Sequence, residues 1–284
     1  MSSYIKETLS ARCQSEYDPL RRVLLCPPRY MAIKDVINDV QKRYKEENIN
    51  VDKALHQHNE FIQALADEGI QTDLIEPSEN YPEQVFTRDI GFTIGETVFI
   101  SEMASEIRQG EERELQKWME AHEVNFKQLT GHRIEGGDVI IDRDTVFVGV
   151  SSRTSKKAIR DLQLQLPDFE VIPVSFNEKY LHLDCVFNIL SPTEALIFPE
   201  ALDMATVRML AERYTLIRVN EKEQFALGTN VLSIGDRKVF SQPQNRQVNK
   251  QLTARGFHVI EVDYSEIIKS GGAFRCCTMP LVRE

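Results

Sequence analysis

The chain has 284 residues and a mass of 32.7 kDa, enough for a sizeable buried core in one large domain or two ordinary ones. Hydrophobic residues make up 42% and charged residues 27%, close to globular averages, which excludes a disordered, collagen-like or coiled-coil chain. The net charge of −10 opposes a phosphate backbone, and without a basic run to compensate it, nucleic acid is excluded as a partner.

In chain order, Met1 to Glu7 lack the apolar run of a signal peptide, and no later stretch reaches the ~18 apolar residues of a membrane span. The expectation is a cytoplasmic protein with no membrane partner. Arg22 to Cys26 reads as a strand, Met31 to Asn50 as a helical lid or loop, Val51 to Ala66 as a helix stopped by Gly69, and Ile70 to Ile75 as a strand. Four copies of one pattern follow, each a hairpin, an amphipathic helix and a further strand. The first has strands Ile90 to Ile94 and Thr97 to Ile100, a helix marked by Leu115, Trp118 and Met119, and a strand from Val124 to Leu129. The second pairs Val139 to Ile141 with Thr145 to Val148, then places Ile159, Leu162 and Leu166 on a helix before Glu170 to Val174. The third pairs Val186 to Leu190 with Ala195 to Phe198, then Met204, Val207 and Leu210 on a helix before Thr215 to Val219. In the fourth, Val231 to Ile234 pairs with Lys238 to Phe240, and a helix carrying Val248 and Leu252 ends at Gly256 before Phe257 to Val262.

Met279 to Val282 completes a fifth unit with the strands and helix at the start of the chain. The sequence therefore predicts an α/β fold with pseudo-fivefold repetition of strand, strand, helix, strand units. Residues 1–284 would form a single domain whose ring is closed by the N- and C-terminal segments.

Chemistry-bearing residues precede the first strand of each unit: Asp89, then Glu135 and Asp138, then His182 and Asp184, then Asn230, then Cys276 and Cys277. Successive markers Asp89, Asp138, Asp184, Asn230 and Cys277 are 49, 46, 46 and 47 residues apart. Equivalent positions of a fivefold repeat face one axis, so these side chains are expected to converge on one pocket. Singly, each has a plainer reading. An Asp or Asn before a strand is usually a turn former and a Gly-Gly pair marks a tight bend. His56, His58, His122, His132 and His258 read as structural, and Cys26 and Cys185 as core residues. The five cysteines read as free thiols, being odd in number, sparse and without CxxC spacing.

Carboxylates converging on one pocket suit a planar guanidinium, which pairs with them bidentately. A thiol beside an imidazole suits a nucleophile with its acid/base partner. Together they imply attack by sulfur on a guanidinium carbon, with the cationic substrate helping to hold Cys276 as thiolate. Zinc is a competing reading, but structural zinc sites draw on closely spaced ligand pairs, whereas each repeat here contributes separately. No phosphate-binding glycine loop opens a helix after a strand, so no nucleotide cofactor is indicated.

Five ordered motifs carry a family resemblance. Phe86, Thr87, Arg88 and Asp89 resemble the FTRD of arginine deiminases, and Glu135, Gly136, Gly137 and Asp138 their EGGD. The run from Gly149 to Thr154 is similar to the GxSxRT of dimethylarginine hydrolases, and His182, Asp184, Phe187 and Asn188 to the HxDxxFN of glycine amidinotransferases. The run from Gly271 to Pro280 resembles the deiminase ending GGxxRCxSMP. The chain thus resembles the guanidine-modifying enzymes of the pentein fold, a five-bladed α/β propeller.

That resemblance implies Cys276 as nucleophile and His182 as acid and then base, with Glu135 orienting His182 or sharing the guanidinium. It implies Asp89 and Asp184 on the guanidinium nitrogens, Phe86 beside the substrate, and Arg153 and Arg108 on a substrate carboxylate. A covalent thiouronium intermediate would be hydrolysed to a ureido product without metal or cofactor, and Cys277 would have no covalent role. Arginine deiminases are longer and carry an arginine where Gly271 stands, so chain length favours the dimethylarginine hydrolases. Asp184 favours an unmethylated guanidine, because a methylated nitrogen has fewer donors for a second carboxylate. The alternatives are an amidinotransferase, passing the amidino group to an amine, and a non-catalytic binding module of the same fold, as in a ribosomal anti-association factor. The latter would not need Cys276, His182 and the acids at equivalent positions.

Overall fold

Wherever the sequence alternates turn formers with short apolar runs, the computed structural model has hairpins. It describes residues 9–284, so the opening stretch read as lacking a leader lies outside the described residues. The elements are β1 (Leu20–Leu25), α1 (Asp39–Tyr44), α2 (Val51–Asp67), β2 (Gln71–Leu74), β3 (Gly91–Ile94), β4 (Thr97–Ile100), α3 (Glu111–Ala121) and β5 (Phe126–Gln128). They continue with β6 (Val139–Asp142), β7 (Thr145–Val150), α4 (Lys156–Gln165), β8 (Glu170–Ser175), β9 (Phe187–Ser191), β10 (Glu194–Ile197), α5 (Met204–Arg213) and β11 (Thr215–Arg218). The last are α6 (Glu221–Phe225), β12 (Leu232–Gly235), β13 (Lys238–Ser241), α7 (Arg246–Ala254), β14 (His258–Glu261) and β15 (Met279–Arg283).

The strands form five three-stranded sheets, β15-β1-β2, β3-β4-β5, β6-β7-β8, β9-β10-β11 and β12-β13-β14. In each, the first two strands are antiparallel and the third joins the second in parallel after a helical crossover. Joining β15 to β1 makes the chain ends one unit, as the sequence predicts. Tight hairpins rest on residues at positive φ: Gly95 (56°) between β3 and β4, and Asp236 (50°) with Arg237 (58°) between β12 and β13.

Burial falls off across each sheet. Every residue of β3, β9 and β12 is buried, whereas β5 and β14 have no buried residue. Strands covered on both faces read as unbroken apolar runs, and Val139, Ile140 and Ile189 are fully enclosed. Each such side chain contributes roughly 1.5–3 kcal/mol of burial energy. The ends of these inner strands are therefore framed by buried, close-packed side chains, and the candidate site lies there.

Two expectations need correction. Met31 to Asn50 is helical only over α1, where Asn38 caps the start by accepting from the Gln41 N–H. The preceding residues are instead tied across to Asn48, which takes a left-handed φ of 58° and bonds both backbone groups of Ile33. Met204, expected on the buried face of its helix, is 69% exposed; Leu210 anchors α5 instead. No helix among the described residues is long and apolar enough to cross a membrane.

Candidate active site

Five turns precede the innermost strands, and hydrogen bonds link them in succession. The Gly136 N–H donates to the Asp89 carbonyl (3.0 Å), and the Leu183 N–H to the Asp138 carboxylate (2.9 Å). Thr229 donates to the Cys185 carbonyl, the Arg275 N–H reaches the Asn230 carbonyl, and the Arg88 N–H closes back on the Cys276 carbonyl (3.0 Å). Glycine is required at the tightest points. A Cβ on Gly137 would stand 2.6 Å from His182 Nδ1 and 2.8 Å from Asp89 Oδ1, and one on Gly272 would strike the Phe86 ring.

Cys276 is 2% exposed and shares a narrow recess with Ile37, Phe86, Asp89, Arg108, Leu181 and Gly272. Asn230 fixes the thiol: its carbonyl oxygen accepts the Ala273 and Cys276 N–H groups at 3.1 Å, and its amide nitrogen lies 3.1 Å from Cys276 Sγ. Burial, with the charges of Asp184 and Asp89, pushes the thiol well above its ordinary range. This surrounding opposes a thiolate, and a substrate cation would relieve that opposition. Cys277 is fully buried in the core cluster with Phe274 and Tyr264.

His182 Nε2 lies 2.7 Å from Glu135 Oε2, and its Nδ1 faces Asp89 Oδ1 at 3.5 Å. Burial disfavours the imidazolium, but Asp89, the Glu135 hydrogen bond and Asp138 outweigh it and raise the pKa to about 9. Burial likewise opposes the Glu135 carboxylate, yet the His182 bond and charge, with Arg153 and Arg108, lower its pKa to about 2. Asp138 accepts from Ser151 (2.7 Å) and Leu183 (2.9 Å), so it anchors the turn carrying His182. Asp89 Oδ1 and His182 Nδ1 are both buried without a hydrogen-bond partner.

Cys276, His182, Glu135, Asp89, Asp184 and Phe86 thus come together from separate repeats. The two arginines do not present free guanidinium groups. The resemblance places Arg108 on a substrate carboxylate; here it is 1% exposed and bonded to Asp89 Oδ2 (2.5 Å), Glu111 (2.8 Å) and the Glu83 and Phe86 carbonyls. The correction has a physical cause, since the buried acids Asp89 and Glu111 need a counter-ion. Arg153 lies 3.6 Å from Glu135 and donates to the Ile37 carbonyl at 3.3 Å, although its Nη1 has no hydrogen bond. Asp184, expected on the substrate, has Oδ2 bonded by Arg275 at 2.8 Å.

The segment from Met31 to Asn50, expected as a helical lid or loop, contributes a strap over the recess, and sequence reasoning missed its contacts. Ile37 lines the recess, Asn38 donates to the Ser270 carbonyl (3.0 Å), and Gln41 donates to Glu83 (2.7 Å). Cavities of about 360 and 350 Å³ flank the strap, one reaching Tyr180 and Phe225 and the other Arg153 and Lys179. Among the described residues, no group of three or more His, Cys, Asp and Glu side chains is arranged to hold a metal ion.

The profile of the family described as eukaryotic N,N dimethylarginine dimethylhydrolase matches residues 27–283. The chain belongs to the dimethylarginine dimethylaminohydrolase family. Within it, the chain is similar to the uncharacterized protein YkgA of Bacillus subtilis, at 52% identity over 95% of both chains. It is 27% identical to the N(G),N(G)-dimethylarginine dimethylaminohydrolase of Mycobacterium tuberculosis, over 92% of this chain and 86% of that one. Among solved structures, the substrate-bound N-terminal domain of ArgZ, a cyanobacterial arginine dihydrolase, matches with a TM-score of 0.85 at 27% identity, over 92% and 98% of the two chains. SxtG, an amidinotransferase of Microseira wollei, has a TM-score of 0.83 at 17% identity over 96% and 97%, a likeness of fold alone. The architecture is thus the mixed α/β one of pentein structures. As a member of this family of amidine hydrolases, the protein is a C–N hydrolase.

Proposed function

We propose that the enzyme hydrolyses the guanidinium group of arginine or an N-methylated arginine through a covalent intermediate on Cys276. The observation that carries this reading is Asp89, which lines the nucleophile's recess with its Oδ1 buried, free of hydrogen bonds and facing His182 Nδ1 at 3.5 Å. A buried carboxylate oxygen left free favours a cationic donor, and a planar guanidinium supplies one. With the substrate cation bound, the Cys276 thiol releases its proton to solvent and the sulfur attacks the guanidinium carbon; collapse of the tetrahedral adduct expels ammonia or an alkylamine, protonated by the His182 imidazolium. Water then attacks the thiouronium carbon, His182 takes its proton, and loss of the thiol leaves a ureido product such as citrulline. Glu135 holds His182 Nε2, which leaves Nδ1 as the transferring atom. No cofactor takes part.

Asp89 binds the guanidinium, with Phe86 against its face and Arg108 as the counter-ion of Asp89. Arg153, whose Nη1 lies 3.6 Å from Glu135 without a hydrogen bond and which lines a cavity together with Lys179, is the candidate for a substrate carboxylate. Arg275 neutralises Asp184, which removes the physical objection to a methylated nitrogen, so both substrates fit the chemistry. The five sheets are read as blades of one closed propeller in a single domain over the described residues, a reading supported by the circle of hydrogen bonds among the turns.

The test is mass spectrometry of products from arginine, asymmetric dimethylarginine and agmatine, beside Cys276→Ala and without an acceptor amine. A ureido product absent from the mutant is expected. Product only when glycine is supplied would make the protein an amidinotransferase and overturn hydrolysis.

A further inference from the structure

One buried charge network has no place in the mechanism above. Glu16 lies in the segment before β1, is 4% exposed, and places Oε1 3.0 Å from Arg275 Nη2. The same oxygen accepts from the Ile141 N–H at 3.3 Å, and Oε2 lies 3.8 Å from Arg88 Nη1. Arg275 in turn donates to the Val139 carbonyl (2.8 Å) and to Asp184 Oδ2 (2.8 Å), the oxygen that stands 3.4 Å from Cys276 Sγ. A continuous path of short contacts, Glu16 to Arg275 to Asp184 to Cys276, joins residues 259 positions apart to the nucleophile.

We propose that Glu16 is a positioning residue for the nucleophile, holding Arg275 so that Arg275 keeps Asp184 neutralised and fixed against Cys276. An Asp184 carboxylate freed from Arg275 would face the sulfur directly and oppose the thiolate that must form there. Arg275 is one residue from Cys276 in the chain, so a shift in its guanidinium is transmitted to the turn carrying the thiol. The pair cannot be replaced by solvent, because Glu16, Arg275 and Asp184 are all at least nineteen-twentieths buried. Reach therefore matters more than charge: any acceptor at Oε1's position restrains Arg275, and a shorter side chain does not.

This inference rests on the reading of Cys276 as nucleophile, and its test separates the two. The primary readout is the rate of Cys276 alkylation by iodoacetamide against pH, located by mass spectrometry, which needs no substrate. Ureido-product kinetics with whichever guanidine the wild type turns over give the second. Glu16→Gln retains an acceptor of the same length and should keep the wild-type alkylation profile and kcat within about twofold. Glu16→Asp and Glu16→Ala lose the reach, so the onset of alkylation should move to higher pH and kcat should fall roughly tenfold or more at little changed KM. Glu16→Asp keeps the buried charge and serves if Glu16→Ala fails to fold. Equal behaviour of Gln and Asp variants, or wild-type profiles in both short variants with only a lowered melting temperature, would overturn the positioning role. Full activity in Cys276→Ala would instead overturn the underlying mechanism.

Discussion

The two sides of Cys276 are built from the same residue types and left in opposite states. On one side Asp89, His182 and Glu135 keep an unpartnered carboxylate oxygen and ring nitrogen. On the other, the Asp184 and Glu16 carboxylates are engaged by Arg275, and the unpartnered atoms are donors, Arg275 Nε with Arg88 Nε and Nη2. On the first side Asp89 Oδ1 has no hydrogen bond and faces only the His182 ring among the described residues, which leaves it able to receive a planar cation, while the surplus N–H groups of Arg275 and Arg88 repel one from the second. The difference teaches that carboxylates equivalent in the repeat are not equivalent in function: one receives a ligand, another holds the nucleophile.

The sharpest way to break that division is to remove the groups that react. Cys276→Ala should abolish ureido product and His182→Ala should lower kcat by about 10²–10⁴-fold, whereas Cys277→Ala keeps much of the activity. A dead Cys277 variant beside an active Cys276 variant would show that the register of the last turn is misread. Next in size, Asp89→Asn should lower kcat/KM by roughly a hundredfold, because it removes the charge offered to the guanidinium. Asp138→Asn weakens the contacts to Ser151 and Leu183 and removes one of the charges holding the His182 proton, so it should lower melting temperature and move the alkaline limb of the kcat profile to lower pH, with a smaller loss of kcat/KM than Asp89→Asn. Steady-state kinetics beside thermal melts distinguishes the two.

pH sharpens the same contrast. His182 stays protonated up to about 9, so its acid role should be lost as pH rises through that value. In Asp89→Asn the alkaline limb of the kcat profile should move to lower pH, since Asp89 is among the charges holding the proton. The free thiol of Cys276 should react with iodoacetamide only at more alkaline pH than an ordinary exposed cysteine, because burial, with the charges of Asp184 and Asp89, keeps it protonated. The smallest effect concerns stability away from the site. His58 is buried with neither ring nitrogen bonded, and burial lowers its pKa to about 4 from 6.5. The unfolded chain binds the proton first, so stability should fall as pH drops from 6.5 towards 4, by on the order of 3 kcal/mol. His58→Leu should flatten melting temperature over that interval, and an unchanged slope would remove His58 as its source.

Much of this layout was legible without coordinates. The strands predicted from turn residues and apolar runs lie within two residues of the observed ones, because a short hairpin's signals are local. Convergence of Asp89, Glu135, His182 and Cys276 was legible for another reason: an internal repeat turns sequence position into spatial position. Arg108 and Arg153 were not legible in the same way. Each was assigned to a ligand carboxylate, yet Arg108 is committed to Asp89 and Glu111, and only Arg153, which contacts Glu135 at 3.6 Å, stays a candidate for that role. A residue type states what a side chain can bind, not which of several acids lies within its reach. Asn230 illustrates the middle case, marked by its place in the repeat but given its contact with Cys276 Sγ only by the folded turns.

Sequence by itself determined the repeating units, the burial of their first strands and the set of side chains brought to the turns, all consequences of local turn chemistry and apolar periodicity. Tertiary structure alone decided how the charges pair: Glu16 with Arg275 and Asp184, Asp89 with Arg108, the strap of Ile37, Asn38 and Gln41 over the recess. Buried charges must find partners, and which partner each finds depends on distances between residues as far apart as Glu16 and Arg275, which no local pattern encodes.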